Sequence, residues 1–348
     1  MREHFLSKEN FRDFIKELLN GGKVIAPVRF NDRNIIEEIN ESSIESINLT
    51  GFRAVEPFKS YIFKPIERVS SYFENDASPR PGKFVFLGAR GCDLEALEVL
   101  DRVFLEGQFK DPFYAANREN IIIIGADCTD CGQTCFCTLV NGKPYPLKMF
   151  DLNLSPIDDG YLVEVGSDKG QRMVEENIGL FFEPLKPHQN EKAKLRQNVI
   201  SRLAEVNNKF KLKLTHAEVH KLNLENPVWK TLTKDCVECS ACNFICPTCS
   251  CFLLIDQKRD AGGERDKIWD ACLKTGYTKV AGGANPRGRL FQRLQNRYQC
   301  KFDYSFDRLD RYTCVGCGRC INACAGNIDM RKIFVELEKQ VPLTAKLV

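Results

Sequence analysis

The 348-residue chain carries 50 lysines and arginines against 47 aspartates and glutamates, which gives a formal net charge of +3. This near balance argues against nucleic acid or an anionic membrane surface as its main partner. The length is enough for two or three domains of roughly 150 residues each, and the apolar content is that of a protein that buries a core.

The first part of the chain has the pattern of an α/β domain. Apolar residues at helical spacing from Phe11 to Leu19 predict an amphipathic helix, which Ser7 caps and Asn20-Gly21-Gly22 ends. Strands are predicted at KVIAPVRF, KFVFLGA, NIIIIGAD and GYLVEV, and helices at LEALEVLDRVF and KGQRMVEENIGLFF. Because apolar strands alternate with helices, we expect a mixed sheet with partly parallel pairing.

Strand signals fade after PLKPHQNEK, and from Ala193 onward the sequence predicts helices joined by cysteine-rich loops. We therefore place a domain boundary near residues 185–192. The expected fold class is α+β, with an α/β domain over residues 1–188 and a mainly helical domain over residues 189–348. In the second domain, GERDKIWDACL and GRLFQRLQNRY are both predicted to be helical. His216 and His220 are predicted to lie on the surface.

The amino terminus, MREHFLSKEN, lacks the apolar core of a signal peptide. The longest apolar runs, FVFL and IIIIGA, are far shorter than the ~20 residues of a membrane helix. These features predict a cytoplasmic protein without membrane insertion. In that reducing compartment 17 cysteines indicate metal binding rather than disulfides, and most of them gather within residues 128–137, 236–251 and 314–324.

Two of these groups share the spacing CxxCxxCxxxC. This spacing is typical of [4Fe–4S] ferredoxins, in which the fourth cysteine of each run ligates the other cluster. Gly316 and Gly318 allow the second loop to curl so that its backbone approaches the cluster closely. The predicted ligands are Cys236, Cys239, Cys242 and Cys324 for cluster 1, and Cys314, Cys317, Cys320 and Cys246 for cluster 2. The second domain is then a mainly helical two-cluster ferredoxin domain.

Structural zinc is the competing interpretation, and it would make the chain a zinc-binding scaffold. Zinc sites usually pair two CxxC units across a spacer of about 12–20 residues, so a compact run of four cysteines favours iron–sulfur. Cys272 and Cys300 stand apart in the sequence and are predicted to pack in the core. For Cys249 and Cys251 we favour packing beside a cluster over ligation.

A third cluster is predicted in the amino-terminal domain. Cys92 and Cys128 each follow a buried-type strand, and α/β sheets bind ligands at the carboxyl ends of their parallel strands. If the two strands are neighbours, these thiols meet at one edge, and CTDCGQTCFC supplies the remaining ligands. The alternative is that some of these residues are buried free cysteines.

Motifs along most of the chain resemble those of the iron–sulfur beta subunit of cytoplasmic sulfhydrogenases and of the corresponding iron–sulfur protein of anaerobic sulfite reductase. In order, they are GARGCDLEALEVLD, DCTDCGQTCFC, CVECSACNFICPTCSC, GERDKIWDAC, AGGANPRGR and CVGCGRC, from about residue 20 to residue 330. The resemblance implies that cluster 3 uses Cys92, Cys128, Cys135 and Cys137, with Cys131 as the alternative. The sequence departs from the family pattern at Cys131, an added thiol, and at Ala325, where a proline is usual.

The resemblance implies an electron-transfer subunit of an anaerobic oxidoreductase. Such a subunit docks with a flavin-containing NAD(P)H-oxidising partner and exchanges electrons with a catalytic redox subunit of hydrogenase, sulfite reductase or heterodisulfide reductase type. No phosphate-loop or dinucleotide fingerprint occurs, which fits a relay whose partners hold the flavin and substrate sites. The expected cofactors are three [4Fe–4S] clusters, without a catalytic residue. The alternative is a stand-alone reductase that acts on a small substrate at the amino-terminal cluster.

Overall fold

The computed structural model describes residues 2–72, 82–259 and 262–341. These residues form two compact units. Unit 1 contains the described residues up to Phe63 and from Gly82 to Glu205, and unit 2 contains residues 64–72 and the described residues from Val206 onward. The division falls later in the chain than the predicted boundary near 185–192, because the helix Lys186–Val206 bonds to unit 1 through Lys192 and Arg196.

In chain order, the strands and helices are β1 (Glu3–Ser7), α1 (Lys8–Gly21), β2 (Lys23–Phe30), β3 (Arg33–Ile39), β4 (Ile66–Tyr72), β5 (Phe84–Ala89), α2 (Gly91–Phe104), α3 (Pro112–Glu119), β6 (Ile121–Ala126), β7 (Leu152–Ile157), β8 (Gly160–Val165), α4 (Asp168–Glu176), α5 (Lys186–Val206), α6 (His216–Lys221), α7 (Val228–Leu232), α8 (Ala241–Phe244), β9 (Phe252–Arg259), β10 (Gly262–Trp269), α9 (Leu290–Phe302), α10 (Tyr304–Leu309), α11 (Arg319–Asn322) and α12 (Met330–Lys339). Within the described ranges, none of the helices has the length and apolar character to cross a membrane.

The strands of unit 1 form one mixed sheet in the order β1-β8-β7-β6-β5-β2-β3. The central pairs β2–β5, β5–β6 and β6–β7 are parallel, and the outer pairs are antiparallel. The central strands are continuous apolar runs, as expected where both faces of a sheet are covered. The predicted mixed, partly parallel sheet is therefore confirmed.

The first helix of unit 1 packs on this sheet as its pattern predicts. The side chain of Ser7 accepts a hydrogen bond from the Asn10 N–H, and Gly22 follows the last turn. The helix buries an apolar stripe that includes Phe14, whose ring meets Phe181 edge-on at 5.3 Å between centroids. The cap, the helix and its end all agree with the sequence prediction.

Unit 2 combines short helices with a three-stranded antiparallel sheet in the order β4-β10-β9. The helix predicted for GRLFQRLQNRY is present as α9, and the α+β fold class is confirmed. The helix predicted for GERDKIWDACL is wrong, because most of that segment is β10. Glu, Arg and Lys favour a helix by propensity, but here the cross-strand pairs Arg265–Asp256 (2.7 Å) and Lys267–Glu67 (2.9 Å) join a strand to both neighbours.

The histidines of α6 are buried, so the prediction that they lie on the surface is wrong. His216 is 9% exposed and His220 is 0% exposed. The His216 ring stacks on Phe302, with 5.2 Å between centroids, and meets Phe334 edge-on at 4.6 Å. Their spacing of four residues places both histidines on one helix face, and aromatic side chains of α9 and α12 cover His216.

The burial of His216 predicts that unit 2 loses stability in mild acid. Burial lowers the pKa of His216 from 6.5 to about 4, so below pH 6.5 the unfolded chain binds a proton that the folded chain rejects. The stability therefore falls as the pH drops from 6.5 towards 4, by about 3 kcal/mol at about 1.4 kcal/mol per pKa unit. Urea unfolding across this range should show a flatter pH profile for His216→Phe than for the wild type. Identical pH profiles would contradict the prediction.

Candidate metal centres

The two cysteine runs of unit 2 fold into loops with the same backbone course. Counted from the first cysteine of each run, the residues two and four positions later have positive φ. They are Glu238 (54°) and Ser240 (58°) in the first loop and Gly316 (63°) and Gly318 (70°) in the second. Left-handed residues in such loops turn backbone N–H groups inward, a concave arrangement that is common at iron–sulfur sites. The curl predicted at Gly316 and Gly318 is present.

A short helix follows each loop at the same offset. The third cysteine of each run lies in this helix, Cys242 in α8 and Cys320 in α11. The fourth cysteine, Cys246 or Cys324, comes just after it. The two helices pack against each other. The runs are therefore a structural repeat, and their fourth cysteines leave the two loops at equivalent points.

One cavity of unit 2 is lined by all four cysteines that are predicted to bind cluster 1. It opens to solvent and contains about 490 Å³ of space outside the protein atoms. Apolar side chains and Arg297 complete its wall. The cysteines around it are Cys236, Cys239, Cys242, Cys320 and Cys324. The structure therefore brings Cys324, from the end of the second run, to the loop of the first run.

A close approach at Gly326 accompanies this crossing. Gly326 lies so near the start of the first run that a Cβ at this position would overlap the carbonyl oxygen of Asp235. The next nearest atom is the carbonyl carbon of Asp235, followed by the Cα of Cys236. Glycine is required here by lack of space. The contact holds Cys324, two residues earlier, beside the first loop.

The thiols around the cavity influence one another. Burial raises the pKa of Cys236 and Cys242, and the negative charge of a Cys324 thiolate raises both further. A group of buried thiols in such a place stays protonated until a metal replaces the protons. The donor set thus suits a metal cluster that binds thiolates.

Cys246 lies with the second run. Burial raises the pKa of Cys320 to about 11 and that of Cys314 higher still, and Cys246 adds to both effects. The pKa of Cys246 itself is lowered, because the Cys249 thiol donates a hydrogen bond to it and Lys301 is close. Each run therefore has the fourth cysteine of the other run beside it.

The remaining cysteines of unit 2 lie next to these thiols. The Asn243 side-chain amide donates to Cys272 (3.2 Å) and to Cys249 (3.8 Å). Cys272 is buried, as predicted, but Cys300 is exposed, so its predicted place in the core is wrong. Isolation in the sequence does not mean isolation in space, since Cys251 and Cys300 both raise the pKa of Cys272, after burial itself.

The amino-terminal candidate site lies at the carboxyl edge of the sheet in unit 1. Strands β5 and β6 are adjacent and parallel, which confirms the premise of the sequence argument. A bulge after Leu87, with Gly88 at φ 84°, ends β5 and turns the chain into α2, whose second residue is Cys92. Cys128 follows β6, and its N–H donates to the Pro144 carbonyl at 2.9 Å.

Arg90 fixes this edge from within. Its guanidinium is 1% exposed and donates to the Asp127 carbonyl beside Cys128. It also donates to the Leu49 carbonyl at 2.9 Å, which ties the edge to the segment before Gly51. Gly51 in turn bonds Thr129 in the cysteine loop. One buried cation therefore joins β6 to a neighbouring loop at the place where the thiols lie.

Four thiols of the amino-terminal loop lie close together. Burial raises the pKa of Cys128 to about 12, and the Cys135 thiolate adds to the effect. Burial likewise raises the pKa of Cys137, with further contributions from Cys128, Cys135 and Cys131. Cys131, whose pKa burial raises to about 11, is thus within the group and not remote from it. Among the described residues of the whole chain, no three cysteine, histidine or carboxylate side chains are arranged to hold a single metal ion.

Comparisons with known proteins agree with the cysteine pattern. A family model described as a 4Fe-4S dicluster domain matches residues 235–328. Sulfhydrogenase 2 subunit beta of Pyrococcus furiosus is 32% identical over 342 residues, which are 97% of this chain and 99% of that protein. The chain belongs to the sulfhydrogenase beta-subunit family. The resemblance seen in the motifs is therefore confirmed.

A second relative is more distant. The beta subunit of the F420-dependent formate dehydrogenase of Methanocaldococcus jannaschii is 22% identical over 179 residues, which are 51% of this chain and 39% of that protein. Together with the dicluster match, the relatives make the chain an iron–sulfur electron-transfer subunit of an oxidoreductase complex. For residues 235–328 this favours two [4Fe–4S] clusters over structural zinc.

The close approach at Gly326 predicts a selective defect. Gly326→Ala should push the end of the second run away from Asp235 and lower the occupancy of the first-run site, while the second-run site keeps its iron. Gly276→Ala is the matched control, because a Cβ at 276 meets no atom within 4 Å. Iron analysis and the electron paramagnetic resonance (EPR) spectra of the reduced proteins measure the result. Equal cluster content in both variants would contradict the prediction.

Proposed function

We propose that this sulfhydrogenase beta-subunit relative relays electrons through three [4Fe–4S] clusters between a flavin-containing NAD(P)H-type subunit and a catalytic redox subunit. The observation that carries the proposal is the crossed arrangement of the two cysteine runs, in which Cys324 joins the first loop and Cys246 the second. Crossed ligands are the arrangement of ferredoxins that hold two clusters close together.

The proposed ligands follow from this crossing. Cys236, Cys239, Cys242 and Cys324 hold cluster 1, and Cys314, Cys317, Cys320 and Cys246 hold cluster 2. Bound clusters supply one-electron transfer at potentials that hydrogen bonds, charge and solvent exposure set. The chain's own part is to present four thiolates to each cluster and to limit the access of water. Cys239 is exposed, whereas Cys246 and Cys317 are buried, so cluster 1 has the more solvent-accessible ligand.

The third cluster is proposed at the carboxyl edge of the sheet in unit 1. Cys92 and Cys128 leave adjacent parallel strands there, and Cys135 and Cys137 lie in the same loop as Cys128. The nearness of Cys131 to Cys135 and Cys137 keeps it as the alternative ligand. Buried Arg90 holds the strand end and loop in place with its hydrogen bonds to carbonyl groups.

The proposed partners follow from the family. The relatives are beta subunits of a sulfhydrogenase and of a formate dehydrogenase, and a beta subunit implies companion subunits. The sequence contains no nucleotide fingerprint, so we assign the flavin and the substrate site to those companions. The reduced state of so many cysteines and the polar amino terminus fit a cytoplasmic complex. Anaerobic co-purification of the chain with a flavoprotein and a separate redox enzyme tests this assignment.

The ligand crossing is tested by Cys324→Ala. We expect anaerobically purified wild-type protein to contain about 12 iron and 12 sulfide per chain, the content of three four-iron cubes. Cys324→Ala should lose the signal of cluster 1 and keep that of cluster 2. Cys300→Ala is the control, since this exposed thiol belongs to neither proposed ligand set. Loss of cluster 2 from Cys324→Ala, with cluster 1 intact, would overturn the crossing.

The amino-terminal cluster is tested by two cysteine variants compared side by side. Cys92→Ser should lose one cluster and make residues 128–137 more sensitive to protease, because a metal ties scattered ligands together. Cys131→Ser should keep all three clusters, and both carboxy-terminal clusters should remain in either variant. If Cys131→Ser lost a cluster that Cys92→Ser retained, the proposed ligand set would be wrong. Iron and sulfide for only two cubes in the wild type would remove this site altogether.

A further inference from the structure

Helix α9 carries two buried cations into the region between the cysteine runs. Arg297 and Lys301 are four residues apart, on one face of the helix, and each is 3% exposed. Arg297 lines the cavity together with Cys242, Cys320 and Cys324. A charged side chain is almost never buried to this extent without a partner of opposite charge.

Neither cation has a carboxylate partner. Arg297 donates to the Cys242 carbonyl at 3.0 Å, and its Nε has no hydrogen-bond partner. Lys301 donates to the Thr248 hydroxyl at 2.8 Å, which lies 3.3 Å from the Cys246 sulfur. In the part of the chain that the structure describes, no aspartate or glutamate forms an ion pair with either residue.

Other buried cations of unit 2 show the usual arrangement. Arg293, one turn before Arg297 on the same helix, pairs with Glu238 at 2.8 Å. Lys267 pairs with Glu67 at 2.9 Å, and Arg331 with Asp329 at 2.8 Å. A buried charge without such a partner is strongly unfavourable. The missing partners of Arg297 and Lys301 must therefore be anions of another kind, and the nearby groups able to become negative are thiols.

The same neighbours are seen from the cations. Burial lowers the pKa of Arg297, but thiolates at Cys242 and Cys320 outweigh it and raise the pKa well above its usual range. Burial also lowers the pKa of Lys301, and thiolates at Cys246 and Cys249 raise it. Arg297 thus faces ligands proposed for both clusters, whereas the proposed ligand nearest Lys301 belongs to cluster 2.

We infer that Arg297 and Lys301 are the counter-charges of the two clusters and raise their reduction potentials, Arg297 acting on both clusters and Lys301 on cluster 2 alone. The inference rests on the proposed ligand sets. Reduction adds one negative charge to a cluster, and a fixed cation in a dry interior stabilises that charge more than it would in water. Without the cation, the reduced form is less favoured and the potential falls.

The test is an EPR-monitored redox titration of the anaerobically purified full-length chain and its variants. Arg297→Met should lower the potentials of both clusters, and Lys301→Met should lower that of cluster 2 only. A tenfold shift in the ratio of reduced to oxidised cluster corresponds to about 59 mV for one electron, and we expect at least that shift. Lys339→Met, which removes an exposed lysine of α12 paired with Glu336, should shift neither potential.

The conservative variants Arg297→Lys and Lys301→Arg separate charge from shape. They should keep both clusters and stay near the wild-type potentials. If a methionine variant fails to bind a cluster that its conservative counterpart retains, the positive charge is required for thiolate ligation, which supports the inference. Fully loaded methionine variants with unchanged potentials would overturn it, as would cluster loss in the conservative variants. A wild-type chain without iron and sulfide would instead refute the proposed function itself.

Discussion

Unit 2 depends on the packing of the end of the second cysteine run against the start of the first. The runs begin at Cys236 and Cys314, and a strand pair and two helices separate them in the sequence. Gly326 lets the backbone come down on Asp235 without a side chain between them, which places Cys324 in the first loop. Because the repeat is two-fold in character, Cys246 takes the equivalent place in the second loop.

Much of this arrangement could be read from the sequence because cysteine spacing is a local property. The interval CxxCxxCxxxC specifies a loop, a short helix and a departing fourth residue, and all three are found in both runs. The neighbouring parallel strands that carry Cys92 and Cys128 were also predictable, since each is a short apolar run followed directly by a turn.

What the sequence did not reveal depended on contacts between distant segments. Glu264, Arg265 and Lys267 favour a helix locally, and only pairing with β4 and β9 makes them part of a strand. The polarity of histidine favours a surface position for His216, yet aromatic residues far along the chain cover it. The unpaired state of Arg297 and Lys301 is likewise invisible in a sequence, since it concerns which carboxylates fail to come near.

The two cysteine loops have the same shape but are built from different residues, and this makes their tolerance of sequence change unequal. The second loop has glycine at both left-handed positions, and replacement by a residue with a Cβ costs roughly 1–2 kcal/mol. The first loop already carries that cost at Glu238 and Ser240. Change towards glycine is conformationally easy in the first loop, and change away from glycine is penalised in the second. The two halves of the repeat are thus free to converge in one direction only.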